Sequence, residues 1–307
     1  MLAVESLRKK FGDKIAVDGI SFSVEGGEIY GLLGPNGAGK TTTLSMISGL
    51  LAPDSGRITF DGIDLARDPI AFKRRLGVVP QEIALYEELS GLENVRFWGS
   101  LYGLAGKALA AAVERALGQV DLTGRARDVV RTYSGGMKRR LNLALGLVHS
   151  PRAVLLDEAT VGIDPQARES ILDVVRAVAD AGAAVIYTTH YLEEVERLCD
   201  RIGIVDHGRI LAEGTLDELK ARLGEEEVVT LHGRFAADAA QGALGGLPGV
   251  RVISAEAGRI AFTTGTGGAA GLLGEIYQRG LAIDRVAIEP PSLNGLFLRL
   301  TGRELRD

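Results

Sequence analysis

The stretch that most restricts this chain is Gly34-Pro35-Asn36-Gly37-Ala38-Gly39-Lys40-Thr41, set between the apolar run Ile29–Leu33 and a segment that reads as a helix. It fits the pattern G-x-x-x-x-G-K-[ST] in a strand–loop–helix context. Glycines let the backbone curl until several N–H groups point inward, making an anion nest at a helix N-terminus. Lys40 is then placed for the β- and γ-phosphates of a nucleotide and the Thr41 hydroxyl for Mg²⁺. The loop reads as a holder for a nucleoside triphosphate.

Such a loop needs a parallel sheet to launch it, and the chain supplies one. Ile29–Leu33, Leu76–Val79, Ala153–Leu156 and Val185–Thr188 are short apolar runs that read as strands buried on both faces. Helical patterns at Ala108–Gln119 and Gln166–Ala181 alternate with them, as in an α/β fold. The four strands run into the glycine loop, Pro80-Gln81, Asp157-Glu158 and Thr189-His190. Ligands of open α/β sheets bind beyond the carboxyl ends of the strands, so these groups are expected to converge on one crevice.

Elsewhere the pattern changes. Met1–Lys10, Ser21–Val24 and Arg57–Phe60 read as strands separated by Gly12-Asp13, Gly26-Gly27 and Asp61-Gly62, an antiparallel sheet edging the main one. Residues from about 91 to 150 are helical in pattern and form a helical lobe. After Leu223 the polar break Gly224-Glu225-Glu226-Glu227 opens a βαββαβ order, which predicts a small ferredoxin-like α+β domain over 224–307, separate from the 1–223 domain.

Composition narrows the function classes. The chain has 307 residues, 46% of them hydrophobic, and a net charge of −5, which gives no general attraction to nucleic acid or anionic lipid. The N-terminus shows no apolar core behind its basic residues, and no apolar run approaches the ~18 residues of a membrane span. The chain therefore reads as neither exported nor embedded. Its one cysteine, Cys199, reads as packing.

Two further motifs carry chemistry. Asp157 at a strand end suits the Mg²⁺ shell, leaving Glu158 to orient or deprotonate an attacking water. Acids after a strand are also common decoration of helix N-termini, and it is the companion loop that favours the catalytic reading. Ser134-Gly135-Gly136 precedes the helical pattern Leu141–Val148 and offers a second anion-binding helix start, or a plain cap.

The ordered set GPNGAGKTT, VVPQ, YSGGMKRRL, VLLDEATVGIDP and TTH resembles the nucleotide-binding subunits of ATP-binding-cassette transporters, over about Met1 to Asp217. The resemblance implies a phosphate-loop NTPase core that binds ATP and Mg²⁺. It also implies a head-to-tail pair, a homodimer or a pairing with a closely related ATPase, in which each ATP lies between one phosphate loop and the other chain's signature. Residue by residue, Gly34 to Thr42 (with Thr42 closing the motif) hold the phosphates and Phe11 resembles the aromatic that stacks on adenine. Gln81 resembles the Mg²⁺ and partner sensor, Ser134, Gly135 and Gly136 the signature, Asp164 the acid of the inter-subunit loop, and His190 the switch histidine. Phe11 can also be read as core and His190 as a polar cap. The sequence departs from the commonest family form at Tyr133, Met137 and Ala159.

The YSGGM signature, the TTHYLEEVERLCDRIGIVDHGRI run and the ending PSLNGLFLRLTGRELRD resemble ABC-2-type exporter ATPases. That implies a separately encoded multi-span membrane permease and a peripheral place on the cytoplasmic face of the cell membrane. Gln81 to Gly103 is the expected docking surface, with Tyr86, Phe97 and Trp98 either contacts or lobe core. The alternative is a soluble cassette ATPase working on ribosomes or DNA, which a single phosphate loop without sustained heptads disfavours. A GTP switch would need an Asn-Lys-x-Asp motif that the sequence lacks.

Overall fold

The computed structural model describes residues 1–222, 226–265, 268–289 and 292–302. The chain divides into two compact units, Met1–Leu211 and Ala212–Asp307. The boundary expected between 223 and 224 lies outside the described residues.

The first unit runs β1 (Leu2–Phe11), β2 (Lys14–Val24), β3 (Ile29–Leu33), α1 (Lys40–Ile47), β4 (Ser55–Phe60), β5 (Ile63–Asp64), α2 (Pro69–Lys73) and β6 (Leu76–Val79). Then come the lobe helices α3 (Gly91–Leu101), α4 (Gly106–Gln119) and α5 (Gly135–Leu147). It continues with β7 (Ala153–Asp157), α6 (Pro165–Asp180), β8 (Ala184–Thr189), α7 (Leu192–Leu198), β9 (Arg201–Asp206) and β10 (Arg209–Gly214), the strand in which the division falls. The main sheet has the order β10-β9-β3-β8-β7-β6, with β9, β3, β8, β7 and β6 joined by parallel pairings. Every residue of β3, β7 and β8 is buried, as strands covered on both faces require. The register sets Leu33 beside Thr189 and Asp157 beside Thr188, so the chain leaves β3, β7 and β8 at one edge of the sheet.

The antiparallel strands form a sheet of their own, β2-β1-β4-β5. Leu2, Val4, Ile20 and Phe22 from it share one core with Tyr30, Leu32, Leu155 and Ile186 of the main sheet. A second core, on Val113, Leu117, Leu141, Leu156 and Ile171, ties the helical lobe to β7 and α6. Cys199 belongs to the packing of this unit. A Cβ on Gly31 would lie 2.6 Å from its Sγ, and burial pushes the thiol well above its ordinary range.

The second unit contains α8 (Leu216–Ala221), β11 (Glu226–Gly233), α9 (Ala237–Leu244), β12 (Arg251–Glu256), β13 (Arg259–Gly265), α10 (Gly268–Gln278), β14 (Ile283–Glu289) and α11 (Leu293–Thr301). Its sheet is antiparallel in the order β12-β13-β11-β14, the split βαβ arrangement of a ferredoxin-like fold. Val229, Leu231 and Phe262 pack under Ala240, Leu244 and Ile276 of the two crossover helices. Leu298 of α11 covers Val228 and Ala261, which alternate to the opposite face.

Candidate functional site

The glycine loop leaves β3 and closes on itself as α1 begins. Gly37 and Gly39 have φ +81° and +107°, and a Cβ on Gly39 would come 2.5 Å from the Ala16 carbonyl. A Cβ on Gly34 would come 2.2 Å from the Val205 carbonyl, so the backbone itself is the wall here. Lys40 is 4% exposed and donates to the carbonyls of Gly34 (2.7 Å) and Pro35 (3.2 Å). Burial lowers its pKa, and Glu158 and Asp157 oppose that shift. A buried ammonium held among carbonyls with a single carboxylate in reach suits a phosphate as its further partner.

Glu158 sits in the left-handed region at φ +45° and is 6% exposed. Its Oε1 lies 3.3 Å from Lys40 Nζ and 3.1 Å from His190 Nδ1. Three segments far apart in sequence thus meet on one carboxylate oxygen. Thr188 sets the register of the two acids: its hydroxyl donates to Asp157 Oδ1 at 2.6 Å and accepts from the Glu158 N–H at 3.1 Å.

The expected signature residues form a second cluster. Ser134 caps α5, its Oγ accepting from the Met137 N–H at 3.2 Å, and Asp164 caps α6 by accepting from the Ala167 N–H at 2.9 Å. Ser134, Gly136 and Asp164 line one groove with Met137, Arg140 and Gln166. Phe11 lies at the end of β1, in the antiparallel sheet, and is 50% exposed, so it is not a core residue. The Gln81 side chain is exposed while its carbonyl is held by the protein. Tyr133 is buried and donates to the Arg125 carbonyl at 2.7 Å, which accounts for a tyrosine at this place in the signature. Of the three aromatics expected on the docking segment, Tyr86 and Phe97 are exposed. Trp98 is instead partly buried against the lobe core, because one helical step turns it inward.

Among the buried charged residues that escaped the sequence reading, Arg139 and Glu194 bond to the segments that bear the site. Arg139, 4% exposed, donates to the carbonyls of Pro80 (3.1 Å), Gln81 (2.7 Å) and Glu158 (3.2 Å). Glu194, 1% exposed, accepts from Thr160, from Tyr187 at 2.9 Å and from Thr189 at 2.7 Å, beneath the loops that bear Glu158 and His190. Helical phase is the signal that finds them. Arg139 stands on the α5 stripe with Gly136 and Leu143, and Glu194 on the α7 stripe with Val195 and Leu198.

Fold and site together define a phosphate-loop nucleotide-binding protein. The family model described as ABC transporter matches residues 17–161, and that of the ATP-binding protein DrrA1-3-like, C-terminal domain, matches 214–301. The chain is 45% identical over 312 residues to the linearmycin resistance ATP-binding protein LnrL of Bacillus subtilis (strain 168), covering 100% of both chains. It is 40% identical to the daunorubicin resistance ATP-binding protein DrrA3 of Streptomyces coeruleorubidus, covering 99% of this chain and 97% of the relative. A solved ATP-binding subunit of an ABC transporter superposes with TM-score 0.67 at 32% identity, covering 73% of this chain and 93% of the other. The chain belongs to the ATP-binding proteins of ABC transporters, ATPases whose turnover is coupled to transport.

Proposed function

We propose that this chain is the motor of a two-component exporter. Two copies, or one copy and a closely related subunit, pack head to tail, close on two ATP and drive a separately encoded multi-span permease from the cytoplasmic face of the cell membrane. The observation that carries the catalytic reading is the convergence of Lys40 Nζ and His190 Nδ1 on one oxygen of Glu158. Glu158 orients the attacking water and accepts its proton, and His190 links that carboxylate to the γ-phosphate. Gly34, Pro35, Asn36, Gly37, Ala38, Gly39, Lys40, Thr41 and Thr42 hold the phosphates, and Phe11 stacks on the adenine.

Mg²⁺ would be held by Thr41, Gln81 and Asp157, and would supply neutralising charge for the phosphates. Among the described residues no group of three or more His, Cys, Asp or Glu could hold a metal. A hydroxyl, an amide and one carboxylate suit an ion that keeps waters and takes phosphate oxygens. Ser134, Gly135 and Gly136 read the γ-phosphate bound to the partner's loop, with Asp164 on the inter-subunit loop. The exposure of Ser134 and Gly135 supports this.

The permease reading rests on an apolar groove lined by Leu50, Pro80, Ala84, Trp98 and Tyr102, with the exposed Phe97 ring 6.1 Å from Trp98. No helix among the described residues is long and apolar enough to cross a membrane. The relatives named for linearmycin and daunorubicin resistance support an antibiotic-class cargo.

In the purified full chain, Glu158→Gln should bind ATP as wild type does, lose roughly a hundredfold or more in hydrolysis, and sediment as a dimer only with ATP. Hydrolysis at the wild-type rate would remove Glu158 from this role. The tagged chain, recovered from gently solubilised membranes, should bring with it a multi-span protein in stoichiometric amount. Ribosomal or DNA-bound companions alone would overturn the exporter reading and leave the ATPase standing.

A further inference from the structure

We infer that Arg139 is a positioning residue for hydrolysis, a strut that holds the backbone of Glu158 and the Pro80-Gln81 loop to the helix that starts at the signature. This rests on the reading of Glu158 as the residue that orients the attacking water. Arg139 lies one helical turn beyond Gly136, and its planar fork reaches three carbonyls on two loops. One guanidinium nitrogen spans Pro80 and Gln81, and the other takes Glu158.

The geometry is one that arginine alone supplies, because a single ammonium cannot span acceptors on both loops in a fixed plane. No carboxylate among the described residues is hydrogen-bonded to Arg139; each bond found goes to backbone of a chemistry-bearing loop. The same Pro80 carbonyl accepts from Asn142 Nδ2 at 3.4 Å, and Asn142 Oδ1 accepts from the Ala84 N–H at 3.2 Å. Pro80, Ala84 and Asn142 also line the apolar groove. One face of α5 therefore ties the groove wall, the Gln81 loop and Glu158 into a single unit. Glu158 has a left-handed backbone, where small shifts re-aim the side chain, so a tether on its carbonyl fixes where the carboxylate points.

The test uses the full chain and ATP. Arg139→Lys and Arg139→Gln should lower kcat about tenfold, with KM and the ATP dissociation constant within about twofold of wild type. The decisive measurement is Arg139→Lys combined with Glu158→Gln: if Arg139 acts through Glu158, the double variant is no slower than Glu158→Gln alone. Losses that multiply would place Arg139 in another role and overturn the inference. So would an Arg139→Lys enzyme turning over at the wild-type rate, or a failure of both single variants to fold, which would make the arginine a stabilising residue. Failure of the underlying reading shows differently, as a Glu158→Gln variant that hydrolyses ATP normally.

Discussion

Two helix starts in the first unit look alike in sequence and differ in structure. At α1 the loop is closed by its own protein: Gly34 and Gly39 touch backbone, and Lys40 is buried with partners on three sides. At α5 the start faces outward, with Ser134 and Gly135 exposed and nothing within 4 Å of a Cβ on Gly135. The first helix end, which we read as the phosphate site, has its walls from one chain. The second is a capped end with open space before it, the form expected of half a site whose other half comes from a second chain.

The largest effect that could break this comparison is a charge at the open end. Ser134→Arg should abolish ATPase activity while ATP affinity of the monomer, measured by fluorescent-nucleotide titration, stays within about twofold. Equal loss of both would argue against reading in trans. Matched glycine substitutions sharpen the contrast. Gly39→Ala meets a left-handed φ and the Ala16 carbonyl, so denaturant unfolding should show a loss of roughly 2 kcal/mol or more, with ATP affinity falling too. Gly135→Ala meets open space and should stay within about 0.5 kcal/mol of wild type in the same experiment.

A third test concerns the lobe that carries the open end. His149 stacks on Tyr102 at 3.5 Å, and burial lowers its pKa from 6.5 to about 4. The unfolded chain therefore binds a proton that the folded chain refuses between those values. Stability should be full above about pH 6.5 and fall by up to about 3 kcal/mol as pH drops towards 4. His149→Gln should flatten that slope in chemical denaturation, and an unchanged slope would assign the acid sensitivity elsewhere. A smaller effect than that of His149 is expected for Tyr133→Leu, which loses the bond to the Arg125 carbonyl: about 1 kcal/mol of stability, with ATPase activity retained.

Much of this protein was legible along the chain because its chemistry is local. Gly37 and Gly39 curl the loop by virtue of their own φ angles, and the runs of β7 and β8 lead directly into Glu158 and His190. The βαββαβ order of the second unit likewise followed from turn signals and period. The helix at Leu192–Leu198 and the strands at Arg201–Asp206 and Arg209–Gly214 were not anticipated, since short mixed segments carry little periodicity. Whether Tyr86, Phe97 and Trp98 are contacts or lobe core stays open in the sequence, because an aromatic beside Phe97 says nothing of which way the helix faces; the structure packs Trp98 against the lobe core.

By itself the sequence determined the phosphate loop, the acid pair, the histidine after β8 and the capped serine-glycine start, since spacing alone defines those groups. Only the tertiary structure decided which of them meet. Glu158 and His190 are brought to 3.1 Å by the parallel register of β7 and β8, and Lys40 joins them because β3 lies on the other side of β8. Arg139 reads in sequence as one of three successive basic residues. Folding buries it, and a buried guanidinium takes whatever carbonyls the neighbouring loops present, here those of Pro80, Gln81 and Glu158.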